Sequence, residues 1–310
     1  MNDVVLLTGA NGFVGSNLLK SLSYNYDVVA ISRSKPKFKC KWVKFVTLSE
    51  INFTEVFKNY KPKFVIHCAA IAHNKAPFFK KNEKYLKNIN LVYTRELIKA
   101  SLLYKPLKFI FISSISVFSY KPKMYINEKS ELGPTNLYAE FKLQSEKDIQ
   151  DNFNESSVSW TIIRPPLIYG TGAPGNINLL IKIVDLKMCI PLQKKPIYKS
   201  LLSINNLISA IGEILVNEKS NNQVYVISDD KQITLFEFIK LISKIRSKPF
   251  LIFFPPKIIY EVLKIIPLLG SKFKTISNEY KLDNTKIKEQ LNWTPPFLLK
   301  SEIIKAYSRN

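Results

Sequence analysis

Val4-Val5-Leu6-Leu7-Thr8-Gly9-Ala10-Asn11-Gly12-Phe13-Val14-Gly15 decides the fold: four apolar residues, then three glycines within seven positions of a chain that has only nine. The apolar run reads as a buried strand, and Phe13, Val14, Leu18, Leu19 and Leu22 follow at helical spacing, so the glycines stand where a strand becomes a helix. A turn of that kind binds phosphate. Gly9 permits the tight turn, and Gly12 lets the main chain around Asn11, Phe13 and Val14 approach a pyrophosphate. Gly15 lets the helix pack closely on the strand while its N-terminus faces the negative charge. The expected ligand is a dinucleotide.

Beyond this turn, short apolar runs alternate with stretches of helical spacing. The runs are Val28 to Ser32, Trp42 to Val46, Phe64 to His67, Phe109 to Ile112 and Trp160 to Ile163; the helical stretches include Asn82 to Leu103 and Thr135 to Ile149. The pattern predicts an α/β fold, a Rossmann-type doubly wound parallel sheet. After Arg164-Pro165-Pro166 the regularity gives way to Tyr169-Gly170-Thr171-Gly172-Ala173-Pro174-Gly175, a loop expected to face substrate. A further strand at Gln223 to Ser228 and a helix opened by the capping box Thr234-Leu235-Phe236-Glu237 follow. The expected organisation is a dinucleotide-binding domain over 1–165 and a smaller substrate lobe over 166–310, partly interleaved with it.

Composition bounds the partners. The net charge of +22 invites a nucleic-acid reading, but only Arg33, Arg95, Arg164, Arg246 and Arg309 are arginines and the lysines spread over every segment, so no nucleic-acid partner is expected. Cys40, Cys68 and Cys189 are widely spaced and unpaired in pattern. His67 and His73 flank Cys68 without a carboxylate to complete a ligand set, so no metal is expected. The first strand begins just after Met1-Asn2-Asp3, which leaves no signal peptide and points to the cytoplasm. The apolar stretch Phe250 to Leu269 is broken by Pro255, Pro256, Lys257, Glu261, Lys264 and Pro267; it predicts a strand and a core-facing helix, with peripheral membrane contact at most.

The catalytic signal is Tyr138-Ala139-Glu140-Phe141-Lys142, a phenol and an amine four residues apart on one helical face. The same spacing occurs at Tyr104, Tyr125 and Tyr260, but only Tyr138 opens a long helix after a strand that ends in Ser113-Ser114. A phenol loses its proton near pH 10, too high for a base at neutral pH, and a neighbouring ammonium brings it into range. Tyr138 is thus the expected proton carrier and Lys142 its tuner. Ser114 would hold a substrate hydroxyl or carbonyl for hydride exchange with a nicotinamide.

With these motifs together the chain resembles the extended short-chain dehydrogenase/reductases, in particular the NAD-dependent epimerase/dehydratase branch that works on nucleotide sugars. The segments that carry the resemblance are TGANGFVG at Thr8 to Gly15, HCAA at His67 to Ala70, Asn90 before Thr94, SSISVF at Ser113 to Phe118, YAEFK at Tyr138 to Lys142, RPPLIYG at Arg164 to Gly170 and DNTKIKEQLNWTPP at Asp283 to Pro296. The resemblance implies that Cys68, Ala69 and Ala70 line the dinucleotide, that Asn90 sits near the nicotinamide ribose, and that Pro165 passes the nicotinamide. It also implies that Asn176 and Lys199 meet a nucleotide diphosphate, and that Tyr280 limits room beside C2 of the sugar. Its expected partner is a nucleotide sugar, UDP-hexose first, in a homodimer paired through the helices at Asn82 to Leu103 and Thr135 to Ile149.

Departures from the family pattern refine the expectation. Ile31-Ser32-Arg33-Ser34-Lys35 lacks the acid that holds an NAD ribose, and its Ser32 and Arg33 favour NADP(H) over NAD(H). Thr47-Leu48-Ser49 lacks the usual acid near the adenine. Ile115 and Ser116 stand where dehydratases of the branch carry Asp-Glu, which argues against water loss. What remains is oxidoreduction at C4 of the sugar, as a 4-epimerase or a 4-keto-sugar reductase serving surface polysaccharide synthesis. The alternative is a non-catalytic dinucleotide-binding sensor or scaffold with a basic surface.

Overall fold

The structure is a computed structural model that describes residues 2–44, 51–71, 83–119, 125–192, 194–249, 251–254 and 278–308. Seven parallel strands form the central sheet: β1 (Val4–Thr8), β2 (Asp27–Ser32), β3 (Lys41–Lys44), β4 (Phe64–His67), β5 (Lys108–Ile112), β7 (Ser159–Arg164) and β12 (Gln223–Val226), in the order β12-β7-β5-β4-β1-β2-β3. The chain reverses its direction of winding between β1 and β4, and in such sheets ligands bind beyond the strand carboxyl ends at that point. The glycine turn leaves β1 there.

Both faces of the sheet are covered, which is why its strands read as continuous apolar runs. Side chains alternate across β1: Val5 and Leu7 join one core with Leu18, Leu19, Leu207 and Ile211, whereas Leu6 joins the other with Phe57, Leu97 and Ile149. The first core lies under α1 (Phe13–Leu22) and α7 (Ile204–Val216); the second under α2 (Phe53–Tyr60), α4 (Tyr93–Tyr104) and α5 (Leu137–Phe153).

The structure trims or divides several expected elements. The third strand is described over Lys41–Lys44; residues 45–50, which include the expected Val46 end and Thr47-Leu48-Ser49, lie outside the described residues. The expected helix at Asn82 to Leu103 is α3 (Glu83–Lys87), a π turn at Asn88–Val92, and α4. One extra residue in that turn shifts the facing of everything before it while the apolar spacing stays nearly helical, so the pattern hides it. The expected strand at Gln223 to Ser228 ends at Val226 and extends the main sheet beyond β7. The stretch Phe250 to Leu269 lies mostly outside the described residues, as does His73.

The second half adds small strand pairs around a third core. β8 (Leu167–Tyr169) pairs with β11 (Leu201–Ser203), β10 (Tyr198–Lys199) with β13 (Ile233–Thr234), β9 (Cys189–Pro191) with β14 (Leu251–Phe253), and β15 (Lys281–Leu282) with β6 (Tyr125–Ile126). α6 (Asn176–Asp185), α8 (Leu235–Arg246) and the helix Leu299–Tyr307 close over Tyr169, Ile177, Phe238, Ile239 and Ile303. The capping box of α8 forms as expected, with Thr234 accepting from the Glu237 N–H and the Glu237 carboxylate accepting from the Thr234 N–H.

Two buried polar groups fasten this half to the sheet. Asp229 accepts from the Tyr169 hydroxyl at 2.7 Å, the Ser203 N–H at 3.0 Å and the Asn206 amide at 2.7 Å. Lys108 enters at the start of β5 and donates to the carbonyls of Ile214 and Asn217 and to the Ser220 hydroxyl, which terminates α7. Among the described residues no helix is long and apolar enough to cross a membrane.

Candidate active site

The glycine turn is built as its spacing demands. Gly9 has φ +69°, and a Cβ there would stand 2.8 Å from the Ala69 nitrogen, so the turn leans directly on the Cys68-Ala69-Ala70 segment after β4. A Cβ on Gly15 would fall 2.2 Å from the Gly9 carbonyl oxygen; the helix rests on the strand end with no room for a methyl group. Gly12 is exposed at the start of α1 and its N–H closes the turn onto the Gly9 carbonyl at 2.8 Å. The first turn of α1, with Phe13 and Val14 partly exposed, has no side-chain cap, so its N–H groups face outward for an anion. A pyrophosphate fits this cradle.

At the end of β2 the Asn11 side chain donates to the Ser34 carbonyl and, at 2.9 Å, to the Ser34 hydroxyl, while the Ser32 hydroxyl donates to the same carbonyl at 2.7 Å. These bonds fold residues 32–34 back over the glycine turn and leave Arg33 and Lys35 exposed beside it.

His67 is a structural link. Thr94 donates its hydroxyl proton to the Asn90 carbonyl, so it accepts from His67 Nε2 at 2.8 Å; Thr8 accepts from the Ala69 N–H and donates to His67 Nδ1 at 2.6 Å. That assignment makes the ring neutral, in line with burial and the nearby Lys142 amine, which hold it well below its ordinary range. Among the described residues no cluster of His, Cys, Asp and Glu could hold a metal. Asn90, expected near a ribose, uses its side-chain amide on the main chain of Ile71, accepting at 2.8 Å and donating at 3.3 Å. Here it shapes the loop after β4.

Ser114, Tyr138 and Lys142 converge at the carboxyl edge of β5. Ser114 begins a short 3-10 turn (Ile115–Val117), its hydroxyl oxygen accepting from the Ser116 N–H at 3.1 Å. Asn136 caps α5 and sets Tyr138 in the first turn, where its phenol hydrogen-bonds Ser114. One turn on, Lys142 is 2 % exposed, donates to the Ile112 carbonyl at 2.7 Å and lies 4.3 Å over the Phe111 ring. Burial pushes the phenol up to about 12, against the Ser114 bond, and pushes Lys142 down to about 8, against Cys68 and Glu146. In this state Tyr138 holds its proton firmly; only added positive charge beside it would make it a base.

The rival Tyr-x-x-x-Lys positions stand apart. Tyr104 ends α4 and packs on Phe57, Tyr125 is exposed in β6, and Tyr260 lies outside the described residues.

Asn176, Lys199 and Tyr280 line one pocket whose wall is mostly apolar, with Leu167, Ile177 and Phe238 in it. Lys199 donates to the Asn278 carbonyl and lies 4.5 Å over the Tyr280 ring; burial pushes it down to about 7. Tyr280 and Ile115, the neighbour of Ser114, both pack on the cluster of Val117, Phe118, Ile126, Val226 and Leu282, which joins the cavity to the catalytic turn. Sequence reasoning missed the buried set behind this edge, Ser113, Glu146 and Arg164. The spacing of Lys142 and Glu146, four apart on one helix, was its one available signal.

The sequence profile of the NAD dependent epimerase/dehydratase family matches residues 5–203, and the chain belongs to that family. The chain is therefore a family enzyme built on a Rossmann-type parallel α/β sheet. A UDP-glucose 4-epimerase of Vibrio cholerae is 29 % identical over 302 residues, covering 94 % of this chain and 90 % of that protein. The UDP-glucose 4-epimerase of Thermotoga maritima, solved with UDP-glucose, superposes with a TM-score of 0.80 at 20 % identity over 98 % of this chain and 97 % of that one. The UDP-glucuronic acid 4-epimerase of Bacillus cereus, solved with NAD, gives 0.80 at 21 % over 98 % and 97 %.

The buried lysines set a pH dependence of stability. Lys108 and Lys142 release their protons near 8 and Lys199 near 7 when folded, but near 10.4 when unfolded. Between about pH 7 and 9 the unfolded chain therefore binds more protons, and stability rises with pH. Above about 10 the slope reverses, because Cys68, Tyr138 and Tyr307 keep their protons to about 12 when folded and lose them earlier when unfolded. Melting followed by circular dichroism is expected to show a higher Tm at pH 9 than at pH 7, with a shallower rise in Lys199→Met; a Tm that falls over this interval contradicts the assignment.

Proposed function

We propose that the chain interconverts C4 epimers of a UDP-linked hexose, with Ser114, Tyr138 and Lys142 as the catalytic set. The observation that carries this is the hydrogen-bonded Ser114–Tyr138 pair with Lys142 one turn on, at the strand edge that the Gly9–Gly15 cradle also faces. A bound nicotinamide dinucleotide supplies hydride acceptance and return at C4. Gly9, Gly12 and Gly15 would cradle its pyrophosphate and Cys68, Ala69, Ala70 and Pro165 would line the remainder, with Asn90 holding the loop after β4 in place through Ile71. Ser114 orients the C4 oxygen. Tyr138 takes the C4 hydroxyl proton as the ketone forms and gives it back when hydride returns to the opposite face. With Lys142 already in place the phenol stands at about 12, and the positive charge of a bound oxidised nicotinamide would be what lowers it further.

Asn176 and Lys199 hold the substrate diphosphate, and the anion restores to Lys199 the charge that burial disfavours. Ile115 and Ser116 supply no acid–base pair, so water loss from the sugar does not compete. The test is a screen of UDP-glucose, UDP-galactose and their N-acetylated forms with each dinucleotide. Conversion of one hexose to its C4 epimer supports the reading, and no conversion of any contradicts it.

A second reading is net reduction of a 4-keto sugar by NADPH, favoured by the absence of an acid at the end of β2 and by the exposed Arg33 and Lys35 beside Ser32. On this reading Arg33→Ala weakens NADPH binding by about 10-fold, the scale of one lost charged hydrogen bond, and leaves NADH unchanged. Titration by fluorescence checks it: equal losses for both cofactors, or a wild type that prefers NADH, remove the support for net reduction.

A further inference from the structure

Glu146 is 1 % exposed, and the catalytic reading makes no use of it. It lies one helical turn beyond Lys142 and two beyond Tyr138, on the same face of α5. Arg164 Nη2 donates to one carboxylate oxygen at 2.6 Å, Arg164 Nε lies 3.1 Å from both, and the Ser113 hydroxyl donates to the other. Arg164 is itself 5 % exposed and sets its guanidinium 4.8 Å over the Phe118 ring.

These partners sit beside the residues that carry the chemistry. Ser113 precedes Ser114, and its N–H donates to the Ile163 carbonyl at 2.7 Å. Arg164 precedes Pro165, whose carbonyl accepts from the Ile115 N–H at 3.0 Å. Lys142 donates to the carbonyl of Ile112, the residue before Ser113. One carboxylate thus joins α5, the end of β5 and the end of β7. A buried ion pair is a weak source of stability, since apolar side chains of equal volume pack as well, so its presence here calls for another use.

We propose that Glu146 is a positioning residue for the C4 oxidoreduction, holding the Ser114 turn in register with the Tyr138–Lys142 face of α5 through Ser113 and Arg164. The inference rests on the assignment of Tyr138 and Lys142 made above. It also concerns charge. Lys142 is faced by His67 and Cys68 from the end of β4, by the Phe111 ring and Ile112 carbonyl of β5, by Tyr138 and Glu146 of its own helix, and by Arg164 of β7 through Glu146. Of these, Glu146 is the carboxylate that favours the ammonium form, and its removal lets Lys142 lose its proton at lower pH.

The test compares wild type, Glu146→Gln and the double variant Glu146→Gln/Arg164→Met, which removes both buried charges, with NAD and the UDP-hexose found by the screen. In both variants kcat is expected to fall by about 10-fold or more, with KM for the sugar within about 2-fold and the alkaline limb of the kcat profile moved to lower pH. The double variant is expected to melt above the single one without recovering kcat. If Glu146→Gln does not fold, the double variant decides. Wild-type kcat and pH profile in any folded variant overturn the inference while leaving the catalytic assignment standing. A wild type that turns over no UDP-hexose overturns the assignment and the inference together.

Discussion

Tyr138→Phe is expected to lower turnover of the UDP-hexose by at least about 10²-fold, the usual scale for a lost general acid or base, with dinucleotide still bound. The substitution removes the hydroxyl that Ser114 hydrogen-bonds and keeps the ring that fills the start of α5. Because burial holds the phenol near 12 in the free chain, the wild-type acid–base limb should appear well below that value once substrate and an oxidised cofactor are bound. Tyr104→Phe and Tyr125→Phe carry the same local spacing without the setting, and both should stay near wild type. Steady-state kinetics on the purified variants checks the set. Near-wild-type turnover in Tyr138→Phe, or equal damage at Tyr104 or Tyr125, would remove the catalytic assignment.

Gly12→Val is expected to abolish dinucleotide binding in a folded chain, and Gly15→Ala to disturb the fold itself. The difference follows from what a side chain would meet. At Gly12 the nearest atom to a new Cβ is the Gly9 carbonyl oxygen at 3.1 Å, and the isopropyl group would project into the space required by a pyrophosphate. At Gly15 a Cβ lies 2.2 Å from that oxygen and 2.8 Å from the carbonyl carbon, so α1 must move off β1. Calorimetric titration with NAD and NADP, beside a melting curve, separates the two outcomes. Dinucleotide affinity unchanged in a folded Gly12→Val protein contradicts the cradle.

Much of the fold was legible because its signals are local. The runs at Val28, Phe64, Phe109 and Trp160 each fall on a strand of the parallel sheet, since strands buried on both faces need unbroken apolar sequence. The glycine turn was legible for a similar reason: Gly9 combines a positive φ with the close approach of Ala69, and Gly15 lies against the Gly9 carbonyl, so neither position has room for a side chain. Strand order was not contained in those runs. That Gln223–Val226 pairs with β7 depends on α7 and the Lys108 contacts, which join residues more than a hundred positions apart.

The site divides along the same line. Tyr138 and Lys142 were readable from helical spacing and Ser114 from its place after a strand, because each needs one element only. The π turn that presents Asn90 to Ile71, the Thr8–His67–Thr94 link and the Ser113–Glu146–Arg164 set each join residues from separate elements. Single-element periodicity carries no record of such contacts. Lys199 and Tyr280, placed by family resemblance, do share one cavity wall, yet the stacking that holds the amine against the ring comes only from the bridge between β10 and the segment before β15.

The most direct test is to incubate the protein with UDP-hexose deuterated at C4 and a catalytic amount of dinucleotide, and to follow the sugar by NMR. The C4 epimer is expected to accumulate with deuterium retained at C4 and no net change in reduced cofactor, since hydride leaves and returns within one site. A sugar that keeps its C4 configuration under these conditions, in protein shown to bind both ligands, contradicts it.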